Sequence, residues 1–255
     1  MNENAPILEF DADPRGILEP AERFRSGRLP ERLVLSFFPQ ALDKLVARSG
    51  ARVVLWLASL RPGALPVHVL QRNGQEVALF ESGIGAPLAG GFLEELIAYG
   101  ARKILVCGGA GVLDRGLTQG HLLLPTSAIR DEGLSYHYLP PAREVAPGPQ
   151  ALAALEAALR ARGAPFVKGK TWTTDGLYRE TRAKIAARKA EGALSVEMEA
   201  AAFFAVAQFR GVELAQLLYA GDDVSGETWD HRGWDKNLSV QEMMLELCVE
   251  AVLGL

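Results

Sequence analysis

Short apolar runs alternate with amphipathic stretches along most of the chain, and this alternation predicts strands and helices in turn. Continuous apolar runs at 33–38, 53–58 and 103–107 predict strands, and the third is of the kind that a sheet buries on both faces. Amphipathic stretches at 150–162 and 239–253 predict helices that cover the sheet. The order of elements therefore predicts an α/β protein.

Two local patterns add detail to this sheet. Asn73-Gly74 between two apolar runs predicts a β-hairpin. The strand at 103–107 is predicted to end in a glycine-rich loop, Gly108 to Gly111, which favours a parallel or mixed sheet with a site at its strand ends. The remaining predicted elements are helices at 39–47, 92–99, 181–190 and 200–209, strands at 121–124, 167–173, 193–196 and 214–219, and a polar loop at 129–138.

Prolines and glycines with mixed charge dominate residues 1–30. They predict an irregular N-terminal arm that lies over the body of the protein or reaches a neighbouring subunit. Residues 31–255 are predicted to form one domain, a size that can bury a substantial core.

The composition narrows the class of protein. A net charge of −4 without a basic run argues against nucleic acid as a partner, and no apolar run is long enough for a membrane span. The two cysteines, Cys107 and Cys248, lie in apolar contexts, which predicts reduced core residues and a cytoplasmic location. The four histidines show no ligand spacing, so neither a metal nor another cofactor is expected.

The segment Ser195 to Ala202 joins a short strand to a small-residue-rich helix and carries Glu197 and Glu199. Residues two apart on a helix point to nearly opposite sides, so both carboxylates can share one neighbourhood only at the helix start. There Glu199 could accept hydrogen bonds from a ribose diol, or it could only complement the helix dipole.

The run Val196-Glu197-Met198-Glu199-Ala200 resembles the ribose-binding signature of the nucleoside phosphorylase/nucleosidase family, and the resemblance extends from Gly83 to about Gly226. It implies a single-domain three-layer α/β fold with a twisted mixed central sheet flanked by helices. It also implies a homo-oligomer, dimer or hexamer, that cleaves the N-glycosidic bond of a nucleoside.

By this resemblance, Glu199 binds the ribose hydroxyls and stabilises the positive charge that develops on the sugar. Met198 lines the underside of the sugar, and Glu197 orders the loop. Trp172 stacks on the base, with a core Trp as the alternative. Asp222 gives the departing base a proton or a hydrogen bond, although the neighbouring Asp223 makes that assignment ambiguous.

The acceptor side departs from the family pattern. Gly108 and Gly109 match its nucleophile loop, but Ala41 and Val106 stand where phosphorylases place arginines. The remaining candidate cations are Arg61 from a neighbouring subunit, Arg130 and Arg143 from other loops, and Arg232 near the acid.

The sequence therefore leaves the acceptor open between phosphate and water. The Gln-x-Arg that uridine phosphorylases use is absent from Tyr178 to Arg182, which favours a purine over uracil. A uridine-type phosphorylase and a non-catalytic nucleoside-binding or storage protein remain the alternatives.

Overall fold

The structure, a computed structural model, describes residues 5–23 and 29–255. Ten strands lie within these ranges: β1 Arg32–Ser36, β2 Arg52–Leu57, β3 Leu65–Arg72, β4 Gln75–Glu81, β5 Lys103–Val112, β6 Leu122–Asp131, β7 Glu144–Val145, β8 Phe166–Thr174, β9 Ala193–Glu197 and β10 Glu213–Asp223. The α-helices within the same ranges are α1 Pro20–Arg23, α2 Pro39–Ser49, α3 Ala86–Ala98, α4 Pro149–Ala161, α5 Arg182–Ala190, α6 Ala200–Arg210 and α7 Leu238–Val252.

One mixed sheet contains all ten strands. Strand β5 is parallel to β1 on one side and to β10 on the other, and its last residues pair antiparallel with β9. Pairing continues from β10 through β6 and β8 to β9, so five strands close a circuit, while β1, β4, β3 and β2 extend the sheet outward. The expected α/β domain with a mixed sheet flanked by helices is confirmed.

Successive side chains of the central strands pack alternately into two separate hydrophobic cores. Leu33 and Leu35 of β1 pack with α3 and α6, whereas Val34 between them packs with α2, α4 and α7. Because successive strand residues point to opposite faces, a strand with helices on both sides is apolar throughout. This explains the unalternating runs in the sequence.

One loop expected from the sequence is strand instead, and the loop expected at 129–138 is strand over its first three residues. Strand β5 does not end at Cys107 but continues through the glycines to Val112, and β6 runs on to Asp131. The glycines stay in the strand because partners crowd it on both sides: an added Cβ on Gly108 would lie 3.1 Å from the Phe37 ring, and one on Gly109 would lie 3.2 Å from Tyr219. Glycine is needed there for close approach rather than for a turn.

Other local predictions agree with the structure. Asn73 and Gly74 both have positive φ, 51° and 75°, as a two-residue hairpin turn between β3 and β4 requires. Cys107 and Cys248 are free and fully buried. Their thiols lie within hydrogen-bonding reach of each other, and this contact together with burial raises the pKa of Cys248 well above its usual range.

Residues 5–23 of the arm run over the surface near α6. They contain a single 3₁₀ turn, Pro6–Leu8, and the short helix α1. Arg210 ties them to the body, since its Nη1 donates to the Pro14 carbonyl at 3.3 Å and lies 3.6 Å from Glu19. The predicted boundary at residue 30 follows residues 24–28, which lie outside the described ranges, and it stays a prediction. No helix within the described ranges is both long and apolar enough to cross a membrane.

Candidate active site

A cavity of about 240 Å³ opens beside Gly109–Gly111 of β5, near the carboxyl ends of β1 and β10, and the end of the antiparallel strand β9 reaches it from the other direction. Ligands of parallel α/β sheets bind beyond the carboxyl ends of the strands. The lining residues are Phe37, Phe38, Ile84, Gly109, Ala110, Gly111, Leu177, Val196, Glu197, Met198, Glu199, Gln216, Asp222 and Trp234.

Glu197 organises the start of α6. Its Oε2 accepts hydrogen bonds from the backbone N–H groups of Glu199 and Ala200 at 2.7 and 2.6 Å, and its Oε1 accepts one from Thr173 Oγ1 at 2.6 Å. Burial raises the pKa of this carboxyl, and the same hydrogen bonds oppose the rise. Glu197 therefore caps the helix with its own side chain.

Glu199, which directly precedes α6, faces the cavity from its wall. Its Oε1 accepts a 2.6 Å hydrogen bond from the N–H of Gly85, the residue before α3, whose φ of 96° disfavours any side chain. Burial, and then the negative charge of Glu197, raise the pKa of Glu199 to about 8. The two glutamates thus share one neighbourhood with different partners, and Met198 lies between them in the wall.

The aspartate doublet at the end of β10 is resolved by geometry. Asp223 is 2% exposed and accepts a 2.6 Å bond from Arg232 Nη2, with Arg115 at 3.7 Å. Burial raises the pKa of Asp223, but hydrogen bonds from Ser225 and both arginines outweigh this and lower it. Asp222 instead lines the cavity, where it accepts a 2.6 Å bond from the Trp229 indole N–H. Arg232 therefore pairs with Asp223, not with Asp222.

Carboxyl groups dominate the polar part of the cavity wall. Glu197, Glu199 and Asp222 line the cavity, and the described part of the chain contributes no Lys, Arg or His to its wall. Close by, burial and the negative charge of Asp222 raise the pKa of Glu180 to about 7. A dianion such as phosphate would find no cationic partner in this part of the wall.

The acceptor-side residues are only partly brought together. Gly109 lines the cavity, but Gly108 is covered by Phe37, which corrects its placement in the nucleophile loop. Ala41 and Val106, which stand where phosphorylases place arginines, are buried in the hydrophobic cores. Neither position supplies a cation to the cavity. Arg61 is exposed, with its Nε bound to the Pro62 carbonyl and away from the cavity of its own chain. Its role in a neighbour's site stays a prediction.

Two other candidate cations are occupied elsewhere. Arg130 is 4% exposed and donates to Ser135 and to the carbonyls of Leu139 and Pro140. Arg143 forms a two-bond pair with Glu191 at 2.6 and 2.7 Å. Neither side chain lines the cavity.

The prediction that Trp172 stacks on the base is wrong. Its ring is fully buried in a core cluster with Ile129 and Val196, and its indole N–H donates to Asp131 at 3.0 Å. The reason is strand alternation: Thr171 and Thr173 point to Glu197, so Trp172 between them points to the opposite face.

Replacing Trp172 with phenylalanine should therefore leave KM for a nucleoside within about twofold, since a core ring makes no ligand contact. It should lower Tm by several degrees, since a lost buried hydrogen bond costs about 1–3 kcal/mol. Steady-state kinetics and thermal unfolding measure the two effects. The matched variant is Trp229→Phe, which removes a donor 2.6 Å from Asp222 and should lower kcat/KM about tenfold. An increase in KM for Trp172→Phe at unchanged Tm would contradict this placement.

The structure adds site residues that were not predicted. Trp234 and Gln216 line the cavity, and Trp229 contacts Asp222 from the loop after β10. The two tryptophans had a signal in the sequence, since they lie in a short Trp- and charge-rich segment that follows Asp222. Gln216 had none, because it is one polar residue inside an apolar strand.

Comparison with known proteins identifies the family. The family model for the phosphorylase superfamily matches residues 33–254. A guanosine phosphorylase of Halorubrum lacusprofundi is 29% identical over 57% of this chain and 60% of its own. A uridine phosphorylase of Haemophilus influenzae is 31% identical over 42% of each. The alignments thus span about half the length of these curated relatives.

A solved structure has the same fold. The AMP nucleosidase of Bacteroides thetaiotaomicron superimposes with a TM-score of 0.71 over 89% of this chain and 88% of that protein, at 23% identity. This match covers nearly the whole of both chains. The chain belongs to the phosphorylase superfamily.

Proposed function

We propose that this protein cleaves the N-glycosidic bond of a purine nucleoside and that water, not phosphate, is the acceptor. The observation that carries the proposal is the cavity itself, which combines carboxylates suited to a ribose and a leaving base with a wall that lacks cationic side chains among the described residues.

The bond-breaking half of the reaction uses Glu199 and Asp222. As the base departs, positive charge spreads over the ribose, and the Glu199 carboxylate stabilises it while accepting hydrogen bonds from the 2′- and 3′-hydroxyls. Asp222 donates a proton or hydrogen bond to a ring nitrogen of the base, with its orientation held by Trp229. Met198 supports the sugar from below, and Glu197 holds the start of α6 in place.

The preference for a purine rests on Asp222 and on the absent Gln-x-Arg. A carboxyl group facing the base suits protonation of a purine ring nitrogen, whereas clamping uracil requires amide and guanidinium donors. The segment that would supply that clamp contributes only Leu177 to the cavity wall.

The preference for water rests on charge. Phosphorolysis holds a doubly charged anion beside the ribose, which requires arginine forks. Here Phe37 and Phe38 occupy the corresponding wall, Val106 and Ala41 are buried, and Arg130 and Arg143 are bound elsewhere.

The test incubates inosine, guanosine, adenosine and uridine with the protein in phosphate-free buffer and, in parallel, with millimolar phosphate. We expect purine base and free ribose at equal rates in both. Asp222→Asn protein purified in the same way controls for contaminating host enzymes. Phosphate-dependent release with ribose-1-phosphate as product would overturn the hydrolytic proposal. Calorimetric binding of nucleosides without base release would identify a binding protein instead.

A further inference from the structure

Gln216 on β10 is a buried carboxamide whose hydrogen-bonding capacity is not used up by the protein. Its side chain is 1% exposed, it lines the cavity, and its Oε1 has no hydrogen-bond partner. Its neighbours along the strand, Ala215 and Leu217, are buried apolar residues. Buried amides are nearly always paired, so an unpaired one that reaches a cavity indicates a ligand or a bound water.

The register of the sheet places Gln216 at one end of the cavity. It pairs with Val106 of β5, and its Nε2 would lie 3.6 Å from a Cβ on Gly108. Asp222 lies near Gly111, where an added Cβ would be 3.4 Å from its Oδ1. The two glycines are three positions apart along β5, a span of about 10 Å. Gln216 and Asp222 therefore lie at opposite ends of the cavity.

This separation suits a displacement at the anomeric carbon. The leaving base lies on one side of C1′ and the incoming nucleophile on the other, so the acceptor binds at the end away from Asp222. Phe37 lies at that end, because its ring is 3.1 Å from the same Cβ position on Gly108, and Gln216 is the polar side chain beside it. A neutral carboxamide can both donate to and accept from water, but it cannot neutralise a dianion.

We propose that Gln216 binds and orients the water that attacks C1′. The inference rests on the proposed function, hydrolysis of a nucleoside. The water oxygen bonds to C1′ while the C1′–N bond breaks and its electron pair passes to the base. The base takes a proton from Asp222, and the attacking water releases one to solvent, from which Asp222 is reprotonated. One water is consumed for each base and free ribose released.

The test compares Gln216→Leu and Gln216→Met with the wild-type protein. Both replacements keep roughly the volume of the side chain but remove the carboxamide. Because leucine and methionine differ in shape, the test still stands if one of the two variants misfolds. We expect kcat to fall about tenfold or more, the effect of one lost hydrogen bond in the transition state, with KM changed less than twofold. Gln208→Leu, on the exposed side of α6, is the matched control and should behave as wild type.

A second readout separates water binding from a general structural effect. Methanol added to the reaction competes with water for the sugar, and the ratio of methyl riboside to ribose reports how firmly water is held at C1′. The ratio should rise several-fold in both Gln216 variants and stay constant in Gln208→Leu. A residue that only supports the fold would lower the rate without moving this ratio.

The outcomes distinguish the two proposals. If wild-type protein hydrolyses nucleosides and the Gln216 variants keep its kcat and its methanol ratio, the role of Gln216 is overturned and hydrolysis stands. If wild-type turnover requires phosphate, the proposed function fails and the inference fails with it. A fall in kcat together with a higher methanol ratio supports both.

Discussion

Replacing Glu199 with alanine is expected to lower kcat/KM for nucleoside cleavage by at least about 100-fold, the range found when one preorganised electrostatic contact is removed. The carboxylate lies beside the developing positive charge of the ribose and accepts its hydroxyls, and nothing else in the wall can replace it from the same position at the start of α6. Base release under subsaturating nucleoside measures the loss. Glu76→Gln, on the exposed β3–β4 hairpin, should keep wild-type kcat/KM.

The raised pKa of Glu199 predicts opposite pH dependences for activity and for stability. Its pKa of about 8 in the folded protein exceeds the ordinary value of 4.5. If the charged form binds the ribose, kcat/KM should rise with pH up to about 8, and Glu199→Gln should lack this limb. Stability should do the reverse, because the folded state retains a proton that the unfolded state has lost. The contribution is full below pH 4.5 and disappears as the pH rises through about 8.

A flat pH profile in both wild type and Glu199→Gln, together with unchanged turnover in Glu199→Ala, would remove Glu199 from the mechanism. A loss of activity that tracks a loss of folded protein would show only a structural role. Circular dichroism and thermal unfolding of each variant separate the two cases.

Replacing Asp222 with asparagine is expected to lower kcat for inosine or guanosine about 100- to 10,000-fold, the usual contribution of a general acid, while binding weakens little. Asparagine keeps the shape and can still accept the Trp229 N–H, but it cannot deliver a proton. Single-turnover base release and the dissociation constant of the nucleoside report the two effects separately.

A substrate with an activated leaving group distinguishes loss of acid catalysis by Asp222 from other effects of the substitution. p-Nitrophenyl riboside needs no protonation of its leaving group, so Asp222→Asn should cleave it nearly as fast as wild type. Asp43→Asn, on the exposed side of α2, is the matched surface control. Equal losses on inosine and on the activated riboside would show that Asp222 acts on the sugar or on folding instead of on the base.

Local patterns were sufficient to predict much of the fold. The apolar runs identified β1 and β5 because both strands are buried on two faces, and Asn73-Gly74 identified its hairpin from two residues. Glu197 and Glu199 lie at the start of α6, where the sequence places them, because that junction is continuous in sequence. Their roles toward a ribose stay predictions.

Features that depend on strand register could not be predicted from the sequence. Which face of β8 meets the cavity decides whether Trp172 or its threonine neighbours reach Glu197, and only the pairing of β8 with β9 determines that face. Gln216 reaches the cavity because β10 pairs with β5 across more than 100 residues of chain, a contact that no local pattern encodes. The Gly108–Gly111 strand was mistaken for a loop for the same reason, since its partners are distant.

The buried thiol pair has a practical consequence for spectroscopy. Cys107 and Cys248 are the two cysteines of the sequence, and neither exposes any surface to solvent. A cysteine introduced at an exposed position of the 226–237 segment would therefore be the one site open to a maleimide dye, without removal of any native residue. Fluorescence from such a label would follow, in real time, how the segment that carries Trp229 responds when a nucleoside enters.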